Sequence, residues 1–259
     1  TPEVPDLNTI LMVACAALVL IACERLWPGG ALPQRTGWYA RMVVLNLAQL
    51  LVAFAGAHTW DAWLADARPW RSGLHPLAGA LLGYLVITFV YYWWHRARHE
   101  VPLLWRHLHQ VHHSAARLEV LTSFYKHPAE ILCNGLLSSS VLFVLLGLDP
   151  ATTAAVVAMT GVAELIYHAN LRTPYWLGFV FQRPESHRVH HASGWHRQNY
   201  SDLPLWDWLF GTLNNPRERV ESWALAHRAR LRTLGMSGLD DADQFLRWFD
   251  LMGVQRHLK

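Results

Sequence analysis

Residues 77–99 read LAGALLGYLVITFVYYWWHRARH. The apolar part, Leu77 to Trp94, is close to the roughly 20 residues that a membrane-spanning helix needs, and it runs without a break into His95 and His99. Residues four apart share a helix face. The spacing therefore predicts one helix that crosses a bilayer and then presents two imidazoles together just beyond it. That reading sets the fold class: an all-α, polytopic membrane bundle capped by a helical cytoplasmic domain that carries histidine.

Two further clusters repeat the arrangement. LWRHLHQVHHS at 104–114 contains His109, His112 and His113, and ESHRVHH at 185–191 contains His187, His190 and His191. Positions i, i+3 and i+4 project from one helical face, so each H-x-x-H-H can aim its rings at a common point. Eight imidazoles exceed the four ligands that one zinc ion takes and suit two metal ions that keep open positions. His168, at the end of a separate apolar segment, is a natural ninth member.

Composition agrees with a membrane protein. The chain has 259 residues, of which 53% are hydrophobic, and its mean hydropathy is +0.12. Charged residues make up 16%, against roughly 25% in soluble proteins. Its 14 tryptophans suit membrane interfaces. Apolar runs span about Ile10–Trp27, Met42–Ala57, Leu77–Trp94, Ile131–Leu148 and Ala151–Tyr167, giving four to five spanning helices. Asp149-Pro150 separates the last two, which predicts a tight helical hairpin. Gly79-x-x-x-Gly83 is either a close-packing motif or a chance occurrence in an Ala-rich and Leu-rich segment. The first run follows Thr1-Pro2-Glu3 with no basic segment and is not expected to be a signal peptide. Cys15, Cys23 and Cys133 form no C-x-x-C pair and read as small core residues.

The predicted organisation is one membrane-embedded domain over 1–259. Residues 9–94 and 131–168 supply the membrane helices, 95–130 and 169–215 a cytoplasmic metal-binding cap, and 216–259 an amphipathic tail. Charge orients it. With Trp94 at the cytoplasmic end, that side receives Arg25, Arg35, Arg41, Arg96, Arg98, Arg106, Arg117 and Lys126. The opposite side receives Glu3, Asp6, Asp61, Asp66, Arg68, Arg71 and Asp149. This is the positive-inside pattern, and it places every histidine cluster on one side. The formal net charge of +3 shows no nucleic-acid-binding stripe.

Imidazole suits iron, zinc, copper and nickel, whereas a closed structural site normally brings thiolates. Abundant neutral ligands beside a bilayer favour a pair of irons that handle O2, able to remove hydrogen from an unactivated C–H bond. Zinc is expected as a substitute in purified protein.

The ordered series WWHRARH (93–99), LWRHLHQVHHS (104–114), YKHPAE (125–130), YHAN (167–170), ESHRVHH (185–191) and NYSDLPLWDWLFGT (199–212) resembles the fatty acid hydroxylase/sterol desaturase superfamily of integral-membrane, histidine-rich non-haem diiron oxygenases. The resemblance covers roughly Tyr84 to Asn215. It implies that His95, His99, His109, His112, His113, His168, His187, His190 and His191 are catalytic metal ligands. Some members carry two histidines four apart on the helix before the third cluster; here Glu164 takes the first place and His168 the second. Glu164 is read as a ligand, a group behind a ligand or the partner of an Arg, and a carboxylate at that depth favours a metal-related role. Asn170 is read as binding through water or orienting a ligand. His127 and His107 are read as supports for ligating rings or as structural, and His196 stays open between a substrate-side group and a surface residue. Asp202, Trp206 and Asp207 read as packing and capping groups.

The resemblance further implies a lipid substrate from the bilayer, such as a fatty acyl chain, a sterol or other isoprenoid, or an ether lipid, that is hydroxylated or desaturated. Hydroxylation is preferred because it needs only one positioned C–H bond. No G-x-G-x-x-G fingerprint or cysteine cluster is present, so a separate electron donor is expected, a ferredoxin or b-type cytochrome with its reductase. The Arg-rich face would suit an acidic donor. The expected location is a bacterial inner membrane with the site on the cytoplasmic side. The rival readings are a histidine-rich membrane metal-binding protein, a zinc hydrolase and a haem carrier.

Overall fold

The computed structural model describes residues 7–115, 117–192 and 197–219. Among the described residues there is no β-strand. The chain forms α1 (Leu7–Leu26), α2 (Trp38–Ala67), α3 (Pro76–Glu100), α4 (102–113), α5 (Pro128–Leu145), α6 (Pro150–His168), α7 (Pro184–His191) and α8 (Pro204–Leu209), with 3₁₀ turns at Val120–Phe124 and Tyr175–Phe179. Six of these helices, α3 to α8, begin at proline. At the first helical position proline loses no hydrogen bond, and its fixed φ suits the helix. The residue before it caps the start in three of them. His75 Nδ1 accepts from Leu77 N, His127 Nδ1 from Ala129 N, and Asp149 Oδ1 from Thr152 N.

Helices α2, α3, α5 and α6 are long and apolar enough to cross a membrane. The expected runs are all present, with shifted ends. The α2 helix continues ten residues past Ala57, through a π-helical turn at Ala57–Asp61. There His58 Nδ1 and Thr59 Oγ1 bond back to Phe54 O and Ala55 O, so the polar residues stay within the helix. The α5 helix runs three residues earlier at each end than the apolar pattern, because Pro128 starts it and Gly147, at φ 60°, turns the chain before Asp149 caps α6. That turn makes the expected α5–α6 connection.

In the bundle α6 packs against α1 and α3, and α2 against α5. The α3–α6 contact is close because Gly79 and Gly83 face α6. A Cβ on Gly83 would lie 2.8 Å from Val156 Cγ2, and one on Gly79 would lie 3.1 Å from Thr152 Cγ2. The close-packing reading of this pair is the one realised.

Buried carboxylates tie the connecting segments to the long helices. Glu24, near the end of α1, accepts from Val120 N and Asn170 N, both at 3.0 Å. Glu119 accepts from Trp38 Nε1 at 2.6 Å, Arg25 Nη2 at 2.5 Å and Arg117 Nη2 at 3.1 Å. Asp207 accepts from Tyr200 N, Ser201 N and Thr212 Oγ1, closing the 199–212 loop on α8.

Part of the positive charge of residues 95–215 is internal: Arg98, Arg117, Lys126, Arg183 and Arg188 are buried, each ion-paired or bonded to a backbone carbonyl. A buried cation costs several kcal/mol unless paired, so these residues neutralise internal carboxylates and carbonyls. Cys15 is exposed on the outer face of α1 rather than in a core. The expected tail helices, and His196, lie outside the described residues.

Candidate metal centre

The imidazoles gather into two groups. His95 and His99 of α3, His109 and His113 of α4 and His190 of α7 form one; His112 of α4, His168 of α6 and His187 and His191 of α7 form the other. Within each group one ring nitrogen per residue lies within 4.8 Å of all the others. Helical geometry explains the division. In α4 the i, i+4 pair His109/His113 joins the first group and His112 the second. In α7 the i, i+4 pair His187/His191 joins the second group and His190 the first. Each H-x-x-H-H thus serves both pockets, and adjacent histidines, turned about a quarter revolution apart, go to different ones. A π-helical turn at Trp105–His109 within α4 carries the first histidine of its motif, a feature frequent at functional sites.

The rings are oriented from behind. His95 Nδ1 lies 2.7 Å from Tyr200 O, His112 Nδ1 3.2 Å from Tyr125 O, His168 Nδ1 2.9 Å from Glu164 O and His190 Nδ1 2.7 Å from Gln198 O. His109 Nδ1 lies 3.0 Å from Glu130 Oε1. Carbonyl oxygens only accept, so Nδ1 of His95, His112, His168 and His190 carries the proton and Nε2 presents a lone pair; at His109 the 3.0 Å contact to Glu130 is shorter than the 3.3 Å one to Arg98 Nη1 and favours the same tautomer. Those lone pairs face one another: His95 Nε2 is 3.0 Å from His109 Nε2, and His168 Nε2 is 3.2 Å from His112 Nε2. With no proton between them such contacts are repulsive, and a cation relieves the repulsion. Metal–nitrogen bonds of about 2.1 Å put neighbouring ligand atoms roughly 3.0–3.4 Å apart, which is the spacing found. The donor set therefore fits two metal ions. At His187, Gln182 Nε2 stands 2.7 Å from Nδ1 and also donates to Asn199 O at 3.2 Å, which fixes the amide beside the ring.

Burial, and then Arg98 at His109 and the neighbouring imidazoles at His112, His113 and His187, hold these four rings well below the ordinary imidazole value of 6.5. At neutral pH these rings are uncharged, the form that ligates.

Other residues read from the sequence fall outside both pockets. The Glu164 carboxylate pairs with Lys126, while its backbone carbonyl orients His168. Asn170 donates to Gly30 O and accepts from Arg219, which ties loops together. His127 caps α5, and His107 is exposed. Trp206 Nε1 donates to Thr88 Oγ1, and Asp207 closes its loop, as packing and capping groups do. Asp202 lines the cavity described below, and burial, followed by the nearby Glu164 charge, pushes its carboxyl up to about 7.

The residues that sequence reasoning misses are those behind the ligands. Glu130 is fully buried, pairs with Arg98 and touches His109. Its one sequence signal is its place in YKHPAE, beside a proline that starts a helix.

A cavity of about 1270 Å³ opens beside the rings. His95, His109, His112, His168 and His187 line one end, and it extends among α1, α2, α5 and α6 as far as Arg68, Arg71 and Pro150.

Fold and site together define a helical, membrane-type protein with two histidine pockets, each able to hold a metal ion. The chain belongs to the fatty acid hydroxylase family, whose sequence profile matches residues 80–212. It is 33% identical to the ornithine lipid hydroxylase OlsE of Rhizobium tropici over 184 residues, covering 68% of this chain and 50% of that protein. It is 30% identical to the fatty acid hydroxylase vlmA of Lecanicillium sp over 198 residues, 70% of this chain and 50% of that one. To human (Homo sapiens) alkylglycerol monooxygenase it is 28% identical over 168 residues, 63% of this chain and 36% of that one. The chain thus spans about half, or less, of the length of these relatives. No solved structure matches it.

Proposed function

We propose that this protein is a membrane-bound, O2-dependent non-haem diiron oxygenase that hydroxylates a C–H position of a lipid. The observation that carries the reading is the meeting of two lone-pair-lined histidine pockets with a long cavity inside an apolar bundle. The printed names of the relatives, a lipid hydroxylase, a fatty acid hydroxylase and a monooxygenase, support it.

Bound iron would supply the two-electron chemistry with O2 that breaks an unactivated C–H bond. The nine imidazoles would hold the two ions, and the carbonyls of Tyr200, Tyr125, Glu164 and Gln198 fix the rings in the ligating tautomer. The cavity wall, with Ile131, Val157 and Ala158, orients a hydrocarbon chain and excludes water. Hydroxylation is preferred to desaturation because one positioned C–H bond suffices.

The proposed location is a bacterial inner membrane with the site on the cytoplasmic side, a reading that the positive-inside pattern supports. A separate donor, a ferredoxin or b-type cytochrome with its reductase, delivers the electrons. The test is lipid analysis of cells with and without the gene under isotopically labelled O2. Label in a lipid that depends on the gene supports the reading; unlabelled lipids with intact, metal-loaded protein overturn it.

A further inference from the structure

Two short elements outside the spanning helices, residues 175–181 and α8, expose large apolar side chains. In the first, Trp176 is 63% exposed and Phe179 59%, with Val180 and Phe181 beside them. In α8, Trp208 is 67% exposed, with Leu205, Leu209 and Phe210 on the same surface. The 3₁₀ turn packs against α8, and Gln182 N donates to Asp202 O at 2.9 Å, so the two elements form one patch. Across 175–181 and 203–211 the one charged residue is Asp207, which is buried within its own loop. An uncharged, exposed patch of this kind marks an interaction surface.

The contacts of α8 identify what covers it. Trp206 Nε1 donates to Thr88 Oγ1 at 3.0 Å, and Ser201 Oγ donates to Thr88 O at 3.2 Å. The Phe210 ring packs on Trp93 and Tyr92, with centroids 4.9 and 5.1 Å apart. Thr88 lies within the apolar run of α3, six residues before its end at Trp94, which is roughly 9 Å deeper along the helix axis. Interfacial elements sit roughly 5–10 Å into the boundary of headgroups and acyl chains. Leu81, Leu85, Phe89 and Trp93 are four residues apart and all exposed, so they form the lipid-facing stripe of α3. Phe210 sits on that stripe at Phe89 and Trp93, which makes the patch continuous with it. Charge returns at the edges. Arg217 lies 4.4 Å over Tyr175, and Arg96, paired with Glu100, lies 5.5 Å over Trp93. Side chains that reach from an apolar surface to water lie in this way.

We propose that residues 175–181 and α8 are sunk into one leaflet of the bilayer as an interfacial element docked on α3, while the charged parts of 169–215 face water. The loop that docks on Thr88 also supplies Tyr200 O, which accepts from His95 Nδ1 at 2.7 Å. Anchoring it in lipid therefore holds the five-imidazole pocket at the membrane boundary.

The test uses the metal-loaded full chain in phosphatidylcholine nanodiscs, with Cys15, Cys23 and Cys133 replaced by Ala and one spin label attached at Phe179→Cys or Trp208→Cys. Relaxation of the label by oxygen, which concentrates among acyl chains, is compared with relaxation by a water-soluble nickel chelate. Leu81→Cys gives the lipid reference and Glu100→Cys the aqueous one, both on α3 and both exposed. At positions 179 and 208 oxygen is expected to outweigh nickel, as at 81, and the ratio is expected to reverse at 100. The two sites are independent, so either decides the matter if the other variant loses its metal. A label relaxed chiefly by nickel overturns the proposal. So does a label that neither reagent reaches, which would show the patch covered by a second copy or by another segment of this chain.

Discussion

Glu130 Oε1 lies 3.0 Å from His109 Nδ1 and also receives the guanidinium of Arg98, and all three side chains are buried. The carboxylate stands where it can hold a ligating ring in one tautomer and raise its basicity. It also neutralises a cation that would otherwise be buried alone. Glu130→Ala is expected to lower metal affinity about 10–100-fold and to destabilise the cap by about 3–5 kcal/mol. Glu130→Gln keeps an acceptor for His109 and is expected to lose less of both. Chelator competition and thermal unfolding measure the two effects.

Because each H-x-x-H-H feeds both pockets, one histidine from each motif tests the division. His112→Ala removes a ligand from the four-imidazole pocket, and His190→Ala removes one from the five-imidazole pocket. Both are expected to abolish turnover while the protein stays in the membrane fraction. Metal loss is expected to be larger for His112→Ala, which leaves three ligands. Activity retained in both variants contradicts the assignment.

Asp202 gives a pH dependence with a definite sign. Its carboxyl is raised from 3.8 to about 7, first by burial and then by Glu164, against a lowering bond from Tyr167. Between those values the folded chain holds a proton that the unfolded chain has released. Its contribution is therefore intact below about 4, is lost as pH rises through 7, and is constant above that. Asp202→Asn is expected to flatten this part of the stability profile and to raise the melting temperature above pH 7. Thermal scans of both proteins in detergent across pH 4 to 8 check it.

The legibility of the chain divides along physical lines. His95/His99, His109/His112/His113 and His187/His190/His191 are readable because helical spacing alone puts each set on one face. The spanning segments are readable because apolar runs of sufficient length have few alternatives. The α2 extension is missed because His58, Thr59 and Asp61 interrupt the apolar pattern while their side chains bond within the helix or to Ser139. Glu130, Arg98 and the orienting carbonyls of Tyr125 and Tyr200 are missed because their roles depend on which helices meet. Nothing local in YKHPAE says that Glu130 will face His109. Glu164 is a parallel case. Its place on α6 leaves a ligand, a group behind a ligand and an ion-pair partner open, and only the fold shows Lys126, from a distant loop, on the carboxylate and the backbone carbonyl on His168.

Gly83 tests the packing that aligns α3 with α6. Gly83→Val would drive its Cβ to 2.8 Å from Val156 Cγ2 and 3.0 Å from Leu148 Cδ1. Overpacking of this kind costs about 1–3 kcal/mol, and here it also separates His95 from His168. A lowered melting temperature with reduced metal content is expected. Gly79→Ala, whose nearest contact is 3.1 Å, is expected to be milder.

The most direct measurement is the metal content of anaerobically prepared protein, by elemental analysis with Mössbauer spectroscopy after oxidation. Two histidine pockets holding a working pair predict close to two irons per chain with the spectrum of a coupled pair. A single zinc that iron cannot replace, or a haem absorption band, would contradict the account.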